Sequence, residues 1–183
     1  MGEVGLMRKL THEEIITRQV KRAESPRLPI CVVLNSIRSL HNVGTIFRSA
    51  DGAGVEKIWL CGITGYPPQG GIAKTALGAE KHVPWEFRQD IIGLLKELKV
   101  QGYQIVLLEQ MQGSVRHDLF EPKPPVCLVI GNEIEGVFQE LQALSDAAIE
   151  IEMDGIKNSL NVAVAFGIAV YQLRGQIKAG MKI

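Results

Sequence analysis

Residues 149–171 read IEIEMDGIKNSLNVAVAFGIAVY, and three unlike kinds of sequence meet in them without a linker. Ile149 and Ile151 alternate with Glu150 and Glu152, the two-residue period of a short strand. Met153 to Ser159 is turn vocabulary, with Asn158 or Ser159 placed to cap a following helix. From Leu160 the chain is Val, Ala, Phe, Gly and Ile with hardly a charge. A helix apolar on all sides has no solvent face, so it packs inside the domain or against a second copy. The polar loop is thus held by core at both ends, and polar groups held rigidly are where a site is built.

Working outward, the same grammar recurs upstream. Thr11 and Glu14 form a capping box that opens a helix running to about Glu24. Its basic side, Arg18, Lys21 and Arg22, is either a solvent face or a substrate contact. Ile30 to Leu34 (ICVVL) is an apolar run of the length of a buried strand. Asn42 is placed to cap a helix with Val43, Ile46, Phe47 and Ala50 on its core side, closed by Gly52 and Gly54. Lys57 to Cys61 reads as a strand, followed by a Gly- and Pro-rich loop through Gly71. The pattern predicts a short helix over 74–81, a strand over Val83 to Phe87 and an amphipathic helix over Ile91 to Val100. Gln104 to Leu108 is a strand, 110–124 a loop, Val126 to Ile130 (VCLVI) a buried strand, and Glu133 to Leu144 a helix. Strands alternating with helices specify an α/β fold, a parallel sheet with helices on both faces. Ligands of such sheets sit at the carboxyl ends of strands, so the loops after Leu34, Leu108, Ile130 and Ile151 are the ones to search.

Composition narrows the function classes. At 183 residues the chain is one domain with at most a short extension. No run approaches the roughly 20 apolar residues of a membrane span, and the first residues lack the apolar core of a signal peptide. The expected location is the cytoplasm. Cys31, Cys61 and Cys127 each lie within an apolar run and read as buried thiols. The four histidines have no ligand spacing, so no metal is expected. Net charge is zero but unevenly distributed: residues 1–50 carry eight Lys and Arg against four Glu, whereas residues 131–160 carry seven Asp and Glu against one Lys. That asymmetry suits a basic face for a polyanion, and equally suits solvated helix faces. Gly70 to Thr75 is not a phosphate loop, because Ala73 stands where glycine must precede the lysine. No G-x-G-x-x-G follows a strand, and no G-x-S-x-G offers a nucleophile.

Three polar clusters remain at strand ends. The first runs from Asn35 to Arg48. Arg48 faces away from the core side of its helix and can offer a fork of donors to a phosphate or hydroxyl, although taken alone an exposed helix arginine is the simpler reading. The second is LVIGNEIEG, Leu128 to Gly136, where Gly131 permits close backbone approach to a ligand. Glu133 and Glu135 either serve a site or merely favour a helix N-terminus. The third is the loop before Leu160.

Together, in this order, the clusters resemble the three motifs of the SpoU/TrmH family of RNA ribose 2'-O-methyltransferases, within the SPOUT superfamily. The matching residues are N-x-G-x-I-x-R (Asn42, Gly44, Ile46, Arg48), I-G-N-E-x-x-G (Ile130 to Gly136) and I-x-M-x-G-x-x-x-S-L-N-V-A-V-A (Ile151 to Ala165), so the likeness covers about residues 30–173. Glu152 departs from the proline that many relatives carry. The resemblance implies a SPOUT domain over 29–183 behind an N-terminal helical extension over 1–28, with a C-terminal trefoil knot. It implies S-adenosylmethionine bound in the knot by groups around Glu109, Gly131, Ile151 and Leu160, and a homodimer sealed in part by the helix from Leu160. The substrate implied is transfer or ribosomal RNA.

By the same resemblance Arg48 is the catalytic candidate, with Asn42, Glu133, Ser159 and Asn161 around it. A guanidinium hardly deprotonates in a protein, so a base role for Arg48 is chemically awkward. Its expected task is to position the adjacent phosphate and the 2'-hydroxyl, leaving the proton acceptor open. Two other readings stand beside this one: a non-catalytic RNA-binding module of the same fold, and a knotted methyltransferase acting on a base nitrogen.

Overall fold

The structure, a computed structural model, describes residues 7–23, 25–131 and 137–181. Among these residues seven strands form one sheet: β1 (Leu28–Asn35), β2 (Val55–Cys61), β3 (Trp85–Arg88), β4 (Gln104–Leu108), β5 (Val115–Arg116), β6 (Val126–Gly131) and β7 (Ala147–Glu150). Their order is β3-β2-β1-β6-β4-β7-β5, and every pairing is parallel. All carboxyl ends therefore open on one edge.

Alternation along β1 explains why that strand reads as one apolar run. Ile30, Val32 and Leu34 belong to one core, while Cys31 and Val33 belong to the other. The first core is covered by α2 (Leu40–Ala53), α3 (Gly70–Ala76) and α6 (Val162–Gly180), through Phe47, Ile72 and Phe166 among others. The second is covered by α4 (Ile91–Val100), through Leu94, Leu95 and Leu98, and by Leu141 of α5 (Val137–Leu144). Helices on both faces of a parallel sheet are as the alternation specified. Cys31, Cys61 and Cys127 are buried free thiols, again as read.

The capping box forms as expected. Thr11 N–H donates to Glu14 Oε2 (2.8 Å), Glu14 N–H to Thr11 Oγ1 (3.3 Å), and α1 (His12–Ala23) follows. Nearly all of α1 is exposed, and Arg8 grips Glu14 with two bonds of 2.6 and 2.9 Å.

Several boundaries differ from the sequence reading. Helix α2 is capped by Ser39, whose hydroxyl accepts from Asn42 N–H (3.3 Å), so Asn42 lies inside the helix. Starting one turn earlier lets Leu40 pack on the core beside Gly65 and Gly71. The helix predicted over 74–81 begins instead at Gly70 and stops at Ala76, because Leu77 and Gly78 are both left-handed (φ 52° and 94°); a single 3-10 turn, Ala79–Lys81, follows. Strand β3 starts at Trp85, just after Pro84, whose missing N–H cannot join the ladder. Strand β7 covers Ala147–Glu150 and leaves Ile151 outside it. The cap of α6 is Asn161 and not Asn158 or Ser159, so Leu160 precedes the helix. Strand β5 arises within the segment read as loop. The helix expected from Glu133 is described from Val137; Glu133 and Glu135 lie outside the described residues.

Helix α6 is only half covered. Ala163, Phe166, Ala169, Val170, Leu173 and Ile177 are buried, whereas Val164, Ile168 and Tyr171 are 51%, 38% and 48% exposed. Their spacing of four and three residues puts them on one outward stripe.

Candidate functional site

A cavity of about 480 Å³ opens at the carboxyl ends of β4, β6 and β7. Leu108 and Glu109 form its wall after β4, Ile130 and Gly131 after β6, and Glu150, Ile151 and Met153 after β7. Asn158, Ser159 and Leu160 close it from the loop before α6, and Val162 and Ala165 of α6 complete it. Three of the four loops singled out by the strand-end rule thus meet at one cavity, of a size ordinary for small-molecule sites.

Backbone and side-chain bonds fix these walls. Glu109 N–H donates to Ile149 O (3.0 Å), and Gln110 N–H to the Glu109 carboxylate (2.9 Å). Ser114 Oγ donates to Glu150 Oε2 (2.5 Å), and His117 N–H to Glu150 O (2.9 Å), tying the segment after β4 to β7. Arg116 pairs with Asp118 (2.6 Å) and reaches Glu152 (3.2 Å); the Asp118 carboxylate beside it raises its already high pKa. A Cβ added to Gly131 would make only ordinary contact with Asn35, so packing among the described residues does not require glycine there.

No Lys, Arg or His lines the cavity among the described residues, whereas Glu109 and Glu150 do. A cavity of that character, with apolar walls at Leu108, Ile130 and Leu160, suits a ligand with a flat apolar part and positive charge.

The first cluster reaches this rim through one bond. Asn161 Nδ2 donates to Asn42 Oδ1 (3.2 Å), while Asn161 Oδ1 accepts from Ala163 N–H (2.9 Å). A single side chain therefore caps α6 and joins the loop before it to α2. Arg48 is exposed on α2 and makes no hydrogen bond or ion pair among the described residues, leaving its donors available. Gly44 has a packing reason: a Cβ there would collide with Thr75 Oγ1 and Ile72 O of α3.

The structure thus brings Glu109, Gly131, Ile151, Ser159 and Leu160 to one cavity and puts Asn161 and Asn42 in contact with each other. Arg48 stands on the α2 helix but not on the cavity wall. Sequence reasoning missed Gln110 and Met153 as lining residues, and missed the buried support beneath the loop after β1. There Ser36 is left-handed (φ 59°), Ile37 N–H donates to Thr64 Oγ1 (3.0 Å), and Thr64 Oγ1 donates to Leu34 O (3.0 Å). The serine, in a conformation that favours Asn or Gly, had no signal in composition alone.

Comparison with known proteins is consistent with this geometry. The model of the SpoU rRNA Methylase family matches residues 29–171. A tRNA (guanosine(18)-2'-O)-methyltransferase of Aquifex aeolicus is 31% identical over 175 residues, covering 93% of this chain and 81% of that relative. A 23S rRNA (guanosine-2'-O-)-methyltransferase, RlmB, of Vibrio parahaemolyticus is 32% identical over 146 residues, 79% of this chain but only 58% of the relative. Among solved structures, the A. aeolicus TrmH/SpoU tRNA modifying enzyme superposes with a TM-score of 0.79 at 29% identity, covering 92% of this chain and 85% of that one. An AdoMet-bound rRNA methyltransferase from Sinorhizobium meliloti gives 0.74 at 30% identity, covering 84% and 59%.

Proposed function

Because this chain belongs to the SpoU rRNA methylase family, we propose that it transfers a methyl group from S-adenosylmethionine to a ribose 2'-hydroxyl of transfer or ribosomal RNA. The observation that carries the reading is the convergence of three strand ends and the loop before α6 on one acidic, partly apolar cavity, joined at its rim to α2 by the Asn161–Asn42 bond. Relatives named as 2'-O-methyltransferases of both RNA classes support the reaction and leave both substrates open.

S-adenosylmethionine supplies an electrophilic methyl carbon on a sulfonium centre. Gly131 and Ile151 would hold it through backbone groups, Leu108, Ile130 and Leu160 through apolar contact, and Glu109 is a wall residue of the same cavity. The carboxylates suit its net positive charge. Arg48 binds the phosphate next to the target ribose and orients the 2'-oxygen, as a fork of five donors can. Asn161 holds α2 in register with the rim, and Ser159 faces the reacting ribose. Glu133 joins them by its place in the second motif.

The chain path supports a knot. It leaves β7 beyond β4, passes the cavity as 151–161, and returns in α6 to pack on α2, with Gln176 Nε2 donating to Phe120 O (2.6 Å) in the segment before β6. Val164, Ile168 and Tyr171 suit a second copy of the chain, and this exposed apolar stripe supports a homodimer. The methyltransferase domain proposed spans about residues 29–183, with α1 in an extension before it. The direct test is calorimetric titration with S-adenosylmethionine: one site per chain is expected, and no binding by folded protein overturns the proposal.

A further inference from the structure

The loops after β1 and β2, at the carboxyl edge of the sheet, lie outside the cavity wall. They are one unit: Ser36 N–H donates to Cys61 O (3.0 Å) and Ile37 N–H to Thr64 Oγ1 (3.0 Å), while a Cβ on Gly65 or Gly71 would meet Leu40 at the start of α2. Thr75 Oγ1 of α3 donates to His41 O (2.9 Å), which fastens α3 to the same corner. This corner adjoins the cavity rim, because Asn42 follows His41 and bonds Asn161.

The unit has two further properties. Residues 25–50 and 57–79 contain no Asp or Glu, while Arg38 and Lys74 are exposed there. Tyr66 stands on an aromatic base, its ring 4.9 Å from Phe87 and 6.3 Å from Trp85, yet 43% of it is in solvent. Two segments without acids, with Arg38 and Lys74 exposed and unpaired among the described residues, together with a supported, half-exposed ring, supply the two elements that hold single-stranded nucleic acid: cations for phosphates and a π-face for a base.

We propose that Tyr66 is a stacking platform for an unpaired base of the RNA substrate near the methylated nucleotide, with Arg38 and Lys74 on the flanking phosphates. The proposal rests on reading the chain as an RNA-modifying enzyme. It adds the place and the mode: an unstacked, single-stranded segment crosses the loops after β1 and β2 on its way to the cavity. Tyr66 supplies affinity for bases without choosing among them, since every base has a π-face.

The test is fluorescence anisotropy with a labelled single-stranded RNA oligonucleotide and an abasic oligonucleotide of equal length, with wild type, Tyr66→Phe, Tyr66→Ala and Lys74→Gln. Wild type and Tyr66→Phe should prefer the base-bearing strand by on the order of 5- to 100-fold, and Tyr66→Ala should lose most of that preference. Tyr66→Ala should leave the salt dependence of binding unchanged, whereas Lys74→Gln should reduce the slope of log K against log salt by about 0.7. S-adenosylmethionine affinity should be equal in all four proteins, which shows that each is folded at the cavity. An undiminished preference in Tyr66→Ala, or equal affinity of wild type for the two strands, overturns the platform alone. Failure of wild type to bind either strand or S-adenosylmethionine overturns the enzyme reading as well.

Discussion

Substitution of Asn161 separates structure from chemistry, because its two ends do different work. Oδ1 accepts from Ala163 N–H and caps α6, while Nδ2 donates to Asn42 Oδ1 across the rim. Asn161→Asp keeps the acceptor, and Asp caps helices about as well as Asn; it removes only the donor. Asn161→Ala removes both. Loss of the cap costs about 0.5–2 kcal/mol, and an exposed hydrogen bond about 0.5–1.5 kcal/mol. The alanine variant is therefore expected to lose about 1–3.5 kcal/mol, which at 2–4 °C per kcal/mol lowers the melting temperature by roughly 2–14 °C. The aspartate variant should stay within about 1.5 kcal/mol of wild type, the value of the one lost bond. Both variants should methylate RNA at least about 10-fold more slowly per folded molecule, since small misplacements of a positioning helix cost up to about 100-fold. Thermal melts and single-turnover methylation on the same preparations decide it. An aspartate variant with wild-type stability and wild-type turnover would refute the idea that the Asn42 link positions the site, and leave Asn161 as a cap.

Arg48→Ala should lower turnover on the order of 100-fold and change stability by less than about 0.5 kcal/mol, because the side chain is exposed and makes no bond among the described residues; Arg48→Lys should not restore the rate, since an ammonium lacks the planar fork. Gly44→Ala should destabilise by about 1–3 kcal/mol despite the better helix propensity of alanine, because its Cβ meets α3. Gly175→Ala, in open space on α6, should stabilise by up to about 1 kcal/mol; chemical denaturation measures both. Glu14 is held at about 2, against an ordinary 4.5, first by the Arg8 hydrogen bonds and then by Thr11 N–H. A depressed carboxylate stabilises α1 fully above pH 4.5 and loses that contribution as pH falls through 2, so the Glu14 side-chain NMR shift should titrate near 2, and Arg8→Ala should move it upward.

What could be read from the sequence follows from how local each feature is. Strands such as Ile30 to Leu34 and Val126 to Ile130 were legible because burial on both faces leaves a continuous apolar run. Their order in the sheet was not, since β4 lies between β6 and β7 through pairings with no trace in spacing. Helix starts slipped where several capping residues stand in a row. Ser39 and Asn42, or Asn158, Ser159 and Asn161, are interchangeable locally, and the choice is made by where Leu40 and Leu160 are needed. Helix α3 was misplaced because Gly70 and Gly71 read as loop, whereas the close packing of Leu40 on Gly71 favours residues without side chains. The two-residue β5 has exposed side chains and no alternation to announce it. In the site, the motifs led to Gly131, Ile151 and Leu160, but the bond between Asn42 and Asn161 joins residues 119 apart and only the fold discloses it.

Whether the methyl group goes to ribose is read from the product itself. Purified protein, S-adenosylmethionine carrying a labelled methyl group, and unmodified RNA are incubated, and the RNA is digested to nucleosides for mass spectrometry. Label should be confined to a 2'-O-methylated nucleoside, with the methyl retained on the sugar fragment. Label on a base fragment, or none from protein that binds S-adenosylmethionine and RNA, would contradict ribose methylation.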